Sequence, residues 1–363
     1  MLFVLPNLQG GGAERVTLDL LGHLDRGRCQ PTLFLLKREG AYLADVPAGL
    51  PLAWGISGGR LRRRGSVVLR ALVREAGQND VVVGALELTA TYLAAVAARA
   101  AGKPLVAWVH TDLTHHLQEA GPIHRLVARL LYRRLPVVVV PSRGVRDSVR
   151  RTLGVKPERV VHIPNVLDID RVQRLAMGDV PPWWPASGDV ILAVGRLHKQ
   201  KGVDVLIRAH ALLRRKGYDH LLVIAGEGPE RAALEDLAAR LGVAHSVRLA
   251  GFVPNPYPLM RAARLLVVSS RYEGFGMVIL EALALGTPVV ATDCPYGPRE
   301  LLKDGELGAL VPPEDPQALA EAIAREMAGP DDERARRRRV ERARAFTPEK
   351  VVPLWEDLLA RVC

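Results

Sequence analysis

Short runs of aliphatic and β-branched residues recur along the chain, each followed by a polar turn and a longer stretch with helical apolar spacing. In the first half the runs cover residues 2–5, 32–36, 81–83, 105–109, 137–140 and 160–163. In the second they cover 190–194, 221–225, 246–249, 265–268, 289–291 and 309–311. Nearly all run without polar alternation, which predicts strands buried on both faces of a sheet. Such strands alternating with helices predict parallel sheets made of right-handed βαβ units.

The rhythm breaks once. Residues 177–188 hold three prolines and two glycines, which excludes a regular element. The expected organisation is therefore a Rossmann-like domain over 1–176, a linker over 177–188 and a second Rossmann-like domain over 189–345. Residues 346–363 are expected to form a final helix with Thr347 as cap and Pro348 in its first turn, ended or kinked near Pro353.

Length suits two domains. Cys29, Cys294 and Cys363 show neither zinc nor disulfide spacing, and they fit a reducing compartment. The start lacks a basic stretch before its apolar run, so residues 1–6 read as a buried strand, not a signal peptide. No stretch approaches the roughly 18 uninterrupted apolar residues of a spanning helix. Charge is lopsided: residues 1–187 hold 25 Lys and Arg against 15 Asp and Glu, whereas 188–363 hold 25 against 24. Without a nucleic-acid motif, the basic half points to an anionic membrane surface or a phosphate-bearing acceptor.

The chemistry concentrates at the predicted strand ends. After the strand 265–268 come Ser270, Glu273, Gly274, Phe275 and Gly276, then an apolar helical run that contains Glu281. A glycine turn opening a helix offers backbone N–H groups to an anion, and carboxylates accept from sugar and ribose hydroxyls. After the strand 190–194 come Gly195, Arg196, Lys201 and Gly202. Two cations fixed there would neutralise a diphosphate and its departing charge; the alternative is two solvated surface side chains. The first strand runs into Gly10, Gly11 and Gly12, a phosphate-approaching loop or a plain tight turn, but not a GxGxxG. Gly226 and Gly228, and Gly251 before Val253, follow two further strands, at crevice ends where doubly wound sheets bind ligands. His110 ends the strand 105–109, as a substrate contact or as a structural residue. Asp168 and Asp170 form a D-x-D, read as a helix cap in preference to a Mg²⁺ site. Residues 123–134 set Arg125, Arg129 and Arg133 on one helical face and Leu126, Val127, Leu130 and Leu131 on the other. Such a helix lies on an anionic bilayer, or packs its apolar side into a core and solvates its arginines. The run Arg60, Arg62, Arg63 and Arg64 adds to the first reading.

Taken in order, these residues resemble the retaining glycosyltransferases of family GT4. The set comprises Gly11-Gly12-Ala-Glu-Arg, Ile163-Pro-Asn165, Gly195-Arg196-Leu with Lys201-Gly202, Gly226-Glu-Gly-Pro, Gly251-Phe-Val253, and Glu273 with Glu281 eight positions on. The stretch from Asp293 to Glu300 is similar to bacterial polysaccharide and glycan-assembly members, and Val166 stands where many relatives have glycine. The resemblance implies the GT-B fold, two Rossmann-like domains across a deep cleft with the last helix crossing back to the first. It implies Arg196 and Lys201 on the donor diphosphate, Gly12 on its β-phosphate, and Glu273, Phe275 and Gly276 on the donor sugar. It further implies Glu281 on the ribose, Val253 at the base and His110 near the reacting centre, with Gly11, Gly195 and Gly226 in the donor-binding loops. No metal or cofactor is expected. The expected donor is a UDP-linked hexose or N-acetylhexosamine, and the expected acceptor a glycan or lipid-linked glycan, such as a lipopolysaccharide intermediate, at the cytoplasmic membrane face. The rivals are a nucleotide-sugar epimerase of the same fold and a non-catalytic partner subunit.

Overall fold

A computed structural model describes all residues except 60, 115, 116, 118–120, 186–188, 330 and 331, and all side chains of these except that of Arg62. The calls on Arg60, on the side chain of Arg62 and on the end of the 177–188 stretch thus lie outside the described residues. The chain forms two compact units, Met1–Leu167 with Phe346–Cys363, and Asp168–Ala345.

The first unit carries seven strands: β1 (Leu2–Leu5), β2 (Thr32–Lys37), β3 (Leu52–Ile56), β4 (Val82–Gly84), β5 (Leu105–Trp108), β6 (Val137–Val140) and β7 (Val160–His162). They lie in the order β3-β2-β1-β4-β5-β6-β7, all parallel, with Val4 opposite both Phe34 and Gly84. The second carries β8 (Val190–Val194), β9 (Leu221–Ala225), β10 (Val247–Gly251), β11 (Leu265–Val268), β12 (Val289–Thr292) and β13 (Ala309–Val311), in the order β10-β9-β8-β11-β12-β13, again parallel. Both are doubly wound sheets. β1, β5 and β11 are buried along their whole length, as the unalternated runs require.

Three expectations need correction. The hydrophobic pattern gave no strand at β3. Leu52–Ile56 is an edge strand whose Trp54 is exposed under Arg38, and whose Gly55 lets the helix Gly65–Gly77 approach; a Cβ there would lie 2.8 Å from Val68 Cγ1. The seam between the units falls after Leu167, ten residues before the expected linker. Helix Ile169–Leu175 belongs to the second unit because Gln173 Nε2 donates to Ala284 O at 3.0 Å and Asn255 Nδ2 to Leu175 O at 2.9 Å. The last helix, Pro348–Val362, does not end at Pro353 but continues past it, and Thr347 makes no side-chain capping bond. Its buried face holds it helical: the Trp355 ring packs tilted against Trp108 at 4.5 Å and meets Phe3 at 6.4 Å. Glu356 accepts from Asp25 N at 2.9 Å and from Arg28 Nη1 at 2.7 Å. Burying that indole contributes about 3 kcal/mol or more, enough to offset one missing helical hydrogen bond.

Asp168 caps its helix, its Oδ1 accepting from Arg171 N at 2.9 Å. The second core holds a buried histidine pair. His210 and His220 share a hydrogen bond of 2.8 Å, and the other His210 nitrogen meets Ser246 Oγ at 2.9 Å. Burial first, then neighbouring positive charge, pushes His210 down to about 3 and His220 to about 4. No helix among the described residues is long and apolar enough to cross a membrane.

Candidate functional site

In each sheet the winding direction reverses beside the first strand: β1 separates β2 from β4, and β8 separates β9 from β11. Loops leaving such neighbouring strands turn to opposite faces and leave a crevice at the carboxyl ends. In the second unit the two loops are residues 195–202 after β8 and 269–276 after β11.

Lys201 Nζ donates to Glu273 Oε1 at 2.6 Å, and Ser270 Oγ donates to the same oxygen at 2.6 Å. The Glu273 backbone N–H is fixed on Pro295 O at 2.8 Å. Glu273 is 6% exposed, yet one positive charge and one hydroxyl compensate its carboxylate. Oε2 accepts from no side chain among the described residues. Gly195, Lys201, Ser270 and Val278 line one small cavity in this crevice. Beside it the Cys294 thiol is pushed up to about 12, by burial and then by the Glu273 charge, so it stays protonated.

Backbone closeness makes this arrangement possible. A Cβ on Gly202 (φ 59°) would lie 2.1 Å from Ser269 O, so only glycine lets the β8 loop rest on the β11 loop. A Cβ on Gly226 would lie 1.8 Å from Gly195 O, while Gly226 N donates to Gly251 O at 2.8 Å. Gly226 thus serves to seat the Gly195 turn. Arg271 clamps the loops together: its Nη1 and Nη2 each reach an Asp204 oxygen at 2.9 Å, and its backbone N–H meets Gln200 O at 2.7 Å. Asp204 and Glu314 raise the affinity of that guanidinium for its proton.

Arg196 is exposed and makes no side-chain ion pair among the described residues. Gly276 (φ 93°) caps helix Met277–Leu285, and Phe275 is buried behind it, 3% exposed, with Gly297 against its carbonyl. Glu281 is half-buried on the second turn of that helix and accepts from Tyr257 Oη at 3.3 Å. Tyr257 opens helix Tyr257–Ala262, four residues after the half-buried Val253.

In the first unit Gly11 caps helix Gly12–His23 at the end of β1. Arg15, in that helix's first turns, is buried on Asp45 and sits 4.0 Å over the Tyr42 ring, so it is an anchor. His110 follows β5. Its N–H donates to Glu87 Oε2 at 3.0 Å, its Nε2 meets Ala85 O at 3.1 Å, and its ring stacks on Trp108 at 4.4 Å. Since Ala85 O only accepts, Nε2 carries the proton. Burial pushes His110 down to about 3, leaving a neutral ring whose Nδ1 is a buried acceptor without a donor among the described residues. Ser270, Arg271 and Glu87 were not singled out for these duties. Ser270 and Arg271 stand three and two positions before Glu273, and Glu87 follows β4 at the reversal, which is the signal that marks them.

Residues 10–171 match the family model described as Glycosyltransferase Family 4, and residues 184–346 the one described as Glycosyl transferases group 1. The chain is 34% identical over 267 residues to the lipopolysaccharide core biosynthesis glycosyltransferase LpsE of Rhizobium meliloti, covering 70% of this chain and 75% of that one. It is 32% identical to the alpha-D-kanosaminyltransferase of Streptomyces kanamyceticus over 68% of this chain and 66% of that one. It is 31% identical to the N-acetylgalactosamine-N,N'-diacetylbacillosaminyl-diphospho-undecaprenol 4-alpha-N-acetylgalactosaminyltransferase of Campylobacter jejuni, over 55% and 53%. Thus the matched stretch spans between half and two thirds of these last two relatives. Among solved structures, HepE of Anabaena in complex with UDP-glucose superposes with a TM-score of 0.81 at 23% identity, covering 99% of both chains. Two doubly wound parallel domains of this kind define the GT-B class. The chain belongs to glycosyltransferase family 4.

Proposed function

We propose that this chain is a retaining, metal-independent transferase. It moves a hexose or N-acetylhexosamine from a UDP-linked donor to a glycan or lipid-linked glycan in cell-surface polysaccharide assembly. The observation that carries the reading is the Lys201–Glu273–Ser270 arrangement at the reversal of the second sheet. It joins a cation for phosphate to a carboxylate oxygen for a sugar hydroxyl. The relatives support the substrate class: HepE is described with UDP-glucose, and the Campylobacter jejuni enzyme by its diphospho-undecaprenol acceptor.

Arg196 and Lys201 meet the diphosphate, with Gly11, Gly12 and Gly195 giving close backbone approach. Glu273, Phe275 and Gly276 meet the donor sugar, Glu281 the ribose and Val253 the base. Neutral His110 accepts from a sugar hydroxyl near the reacting carbon. The bond between the anomeric carbon and the phosphate oxygen breaks, and its electron pair leaves with the diphosphate, where the two cations stabilise it. The acceptor oxygen bonds the anomeric carbon on the same face, and its proton passes to the departing phosphate. The excess positive charge of the first unit suits an acceptor carrying phosphate or held at an anionic membrane.

The test is transfer from a panel of UDP-sugars to lipid-diphosphate and lipopolysaccharide-core acceptors. NMR follows the anomeric configuration of the product, with and without EDTA. An inverted product, or activity lost to EDTA and restored by a divalent ion, overturns retention or metal independence. Loss of UDP binding in the native protein overturns the donor.

A further inference from the structure

The helix Pro122–Tyr132 does not pack its apolar side into the core, the second of the two readings its sequence allows. Its inner side is held by Ala128 and Tyr132, both fully buried, and by two of its own arginines. Arg129 Nε donates to Thr152 O at 2.9 Å and Arg133 Nε to Leu153 O at 3.1 Å, gripping the carbonyls that end helix Arg143–Leu153. The apolar stripe faces out. Ile123 is 78% exposed, Leu126 57%, Val127 47% and Leu130 43%. The spacing i, i+3, i+4, i+7 makes these one continuous face.

The stretch of chain that carries it is basic. Residues 121–160 hold ten Lys and Arg against two Asp and Glu. Arg125 and Arg134 are exposed on the helix or just past it. Arg150, Arg151 and Lys156 line an open hollow at the end of the neighbouring helix that Arg129 and Arg133 grip. An apolar face this exposed marks a contact surface. The excess of positive charge selects lipid phosphates over a protein partner, whose contact core would be depleted of charge.

We propose that this helix docks the first unit on an anionic lipid bilayer. Ile123, Leu126, Val127 and Leu130 enter the acyl boundary, and Arg125, Arg134, Arg150, Arg151 and Lys156 meet the phosphates. A helix of this kind sinks about 5–10 Å, within reach of arginine stems that stretch back to the headgroups. The proposal rests on the reading of the first unit as the acceptor side. Its test uses neither donor nor acceptor, so its failure leaves sugar transfer standing.

The full chain is floated with vesicles of phosphatidylcholine alone or with about one third phosphatidylglycerol. The expected result is flotation with the anionic vesicles only, weakened in about 0.5 M salt. The variant Ile123→Ser/Leu126→Ser/Val127→Ser/Leu130→Ser changes only exposed side chains. At an unchanged melting temperature it should partition at least about tenfold less. Wild type that stays unbound, or a variant that floats equally well, overturns the proposal. A concentration-dependent dimer lost in the variant, with no flotation by either, assigns the face to a second copy and overturns it too.

Discussion

Replacing Lys201 by alanine separates what the lysine does for the fold from the role proposed for it on the donor. The change leaves Glu273, 6% exposed, with Ser270 as its one remaining side-chain donor among the described residues. Removing one partner of a buried ion pair costs about 3–5 kcal/mol. The Lys201 side chain is 23% exposed, so solvent screens part of the loss, and Ser270 remains; about 1–3 kcal/mol is expected. Glu273→Gln in the same chain removes the stranded charge and should return at least about 1 kcal/mol. Hydrogen exchange in β8 and β11 under urea, compared for both single variants and the double one, measures this. Donor affinity should not recover: a lost charge-assisted contact of about 1.5–3 kcal/mol weakens UDP binding about 10- to 150-fold in Lys201→Ala and in the double variant alike. Single-variant losses that simply add, with coupling below about 0.5 kcal/mol, would show that the pair is not an energetic unit. UDP affinity restored in the double variant would remove Lys201 from the donor site.

Arg196→Ala, at an exposed side chain, should leave stability within about 0.5 kcal/mol and lower turnover at least about tenfold; unfolding curves and initial rates check both. Gly226→Ala places a methyl 1.8 Å from Gly195 O and should cost about 1–3 kcal/mol or more while weakening UDP binding, read by melting and titration. His110, His210 and His220 sit at about 3, 3 and 4 in the fold against 6.5 unfolded. Below pH 6.5 the unfolded chain therefore takes up protons that the native state excludes. Stability should be full above that pH and fall towards pH 4, each histidine adding a slope of up to about 1.4 kcal/mol per pH unit. Denaturant midpoints at several pH values test this, and a profile flat from pH 7 to 4.5 would refute it.

Most of the fold was legible because strands buried on both faces leave unbroken apolar runs, as in residues 137–140 and 289–291. β3 left none: an edge strand with Pro51 before it, Gly55 inside it and Trp54 in solvent carries little of that signature. Proline density marked irregular chain at 177–185 but not the seam, which is set by what Gln173 and Leu175 bond to. Around the site, the sequence marked Lys201 and Glu273 at separate strand ends; what pairs them is the sheet order, which makes β8 and β11 neighbours. The Arg271 clamp could not, because it depends on how two loops settle against each other. Nor could the choice between the two mountings of helix Pro122–Tyr132, since arginines can grip carbonyls as readily as they face water.

The sharing of residues 346–363 with the first unit sets an order of assembly. As the chain leaves the ribosome, residues 168–345 form an uninterrupted stretch that can close its sheet at once. Residues 1–167 must wait, with Trp108 bare, until Trp355 arrives nearly 250 positions later. During that interval the half that emerged first is the half most in need of a chaperone.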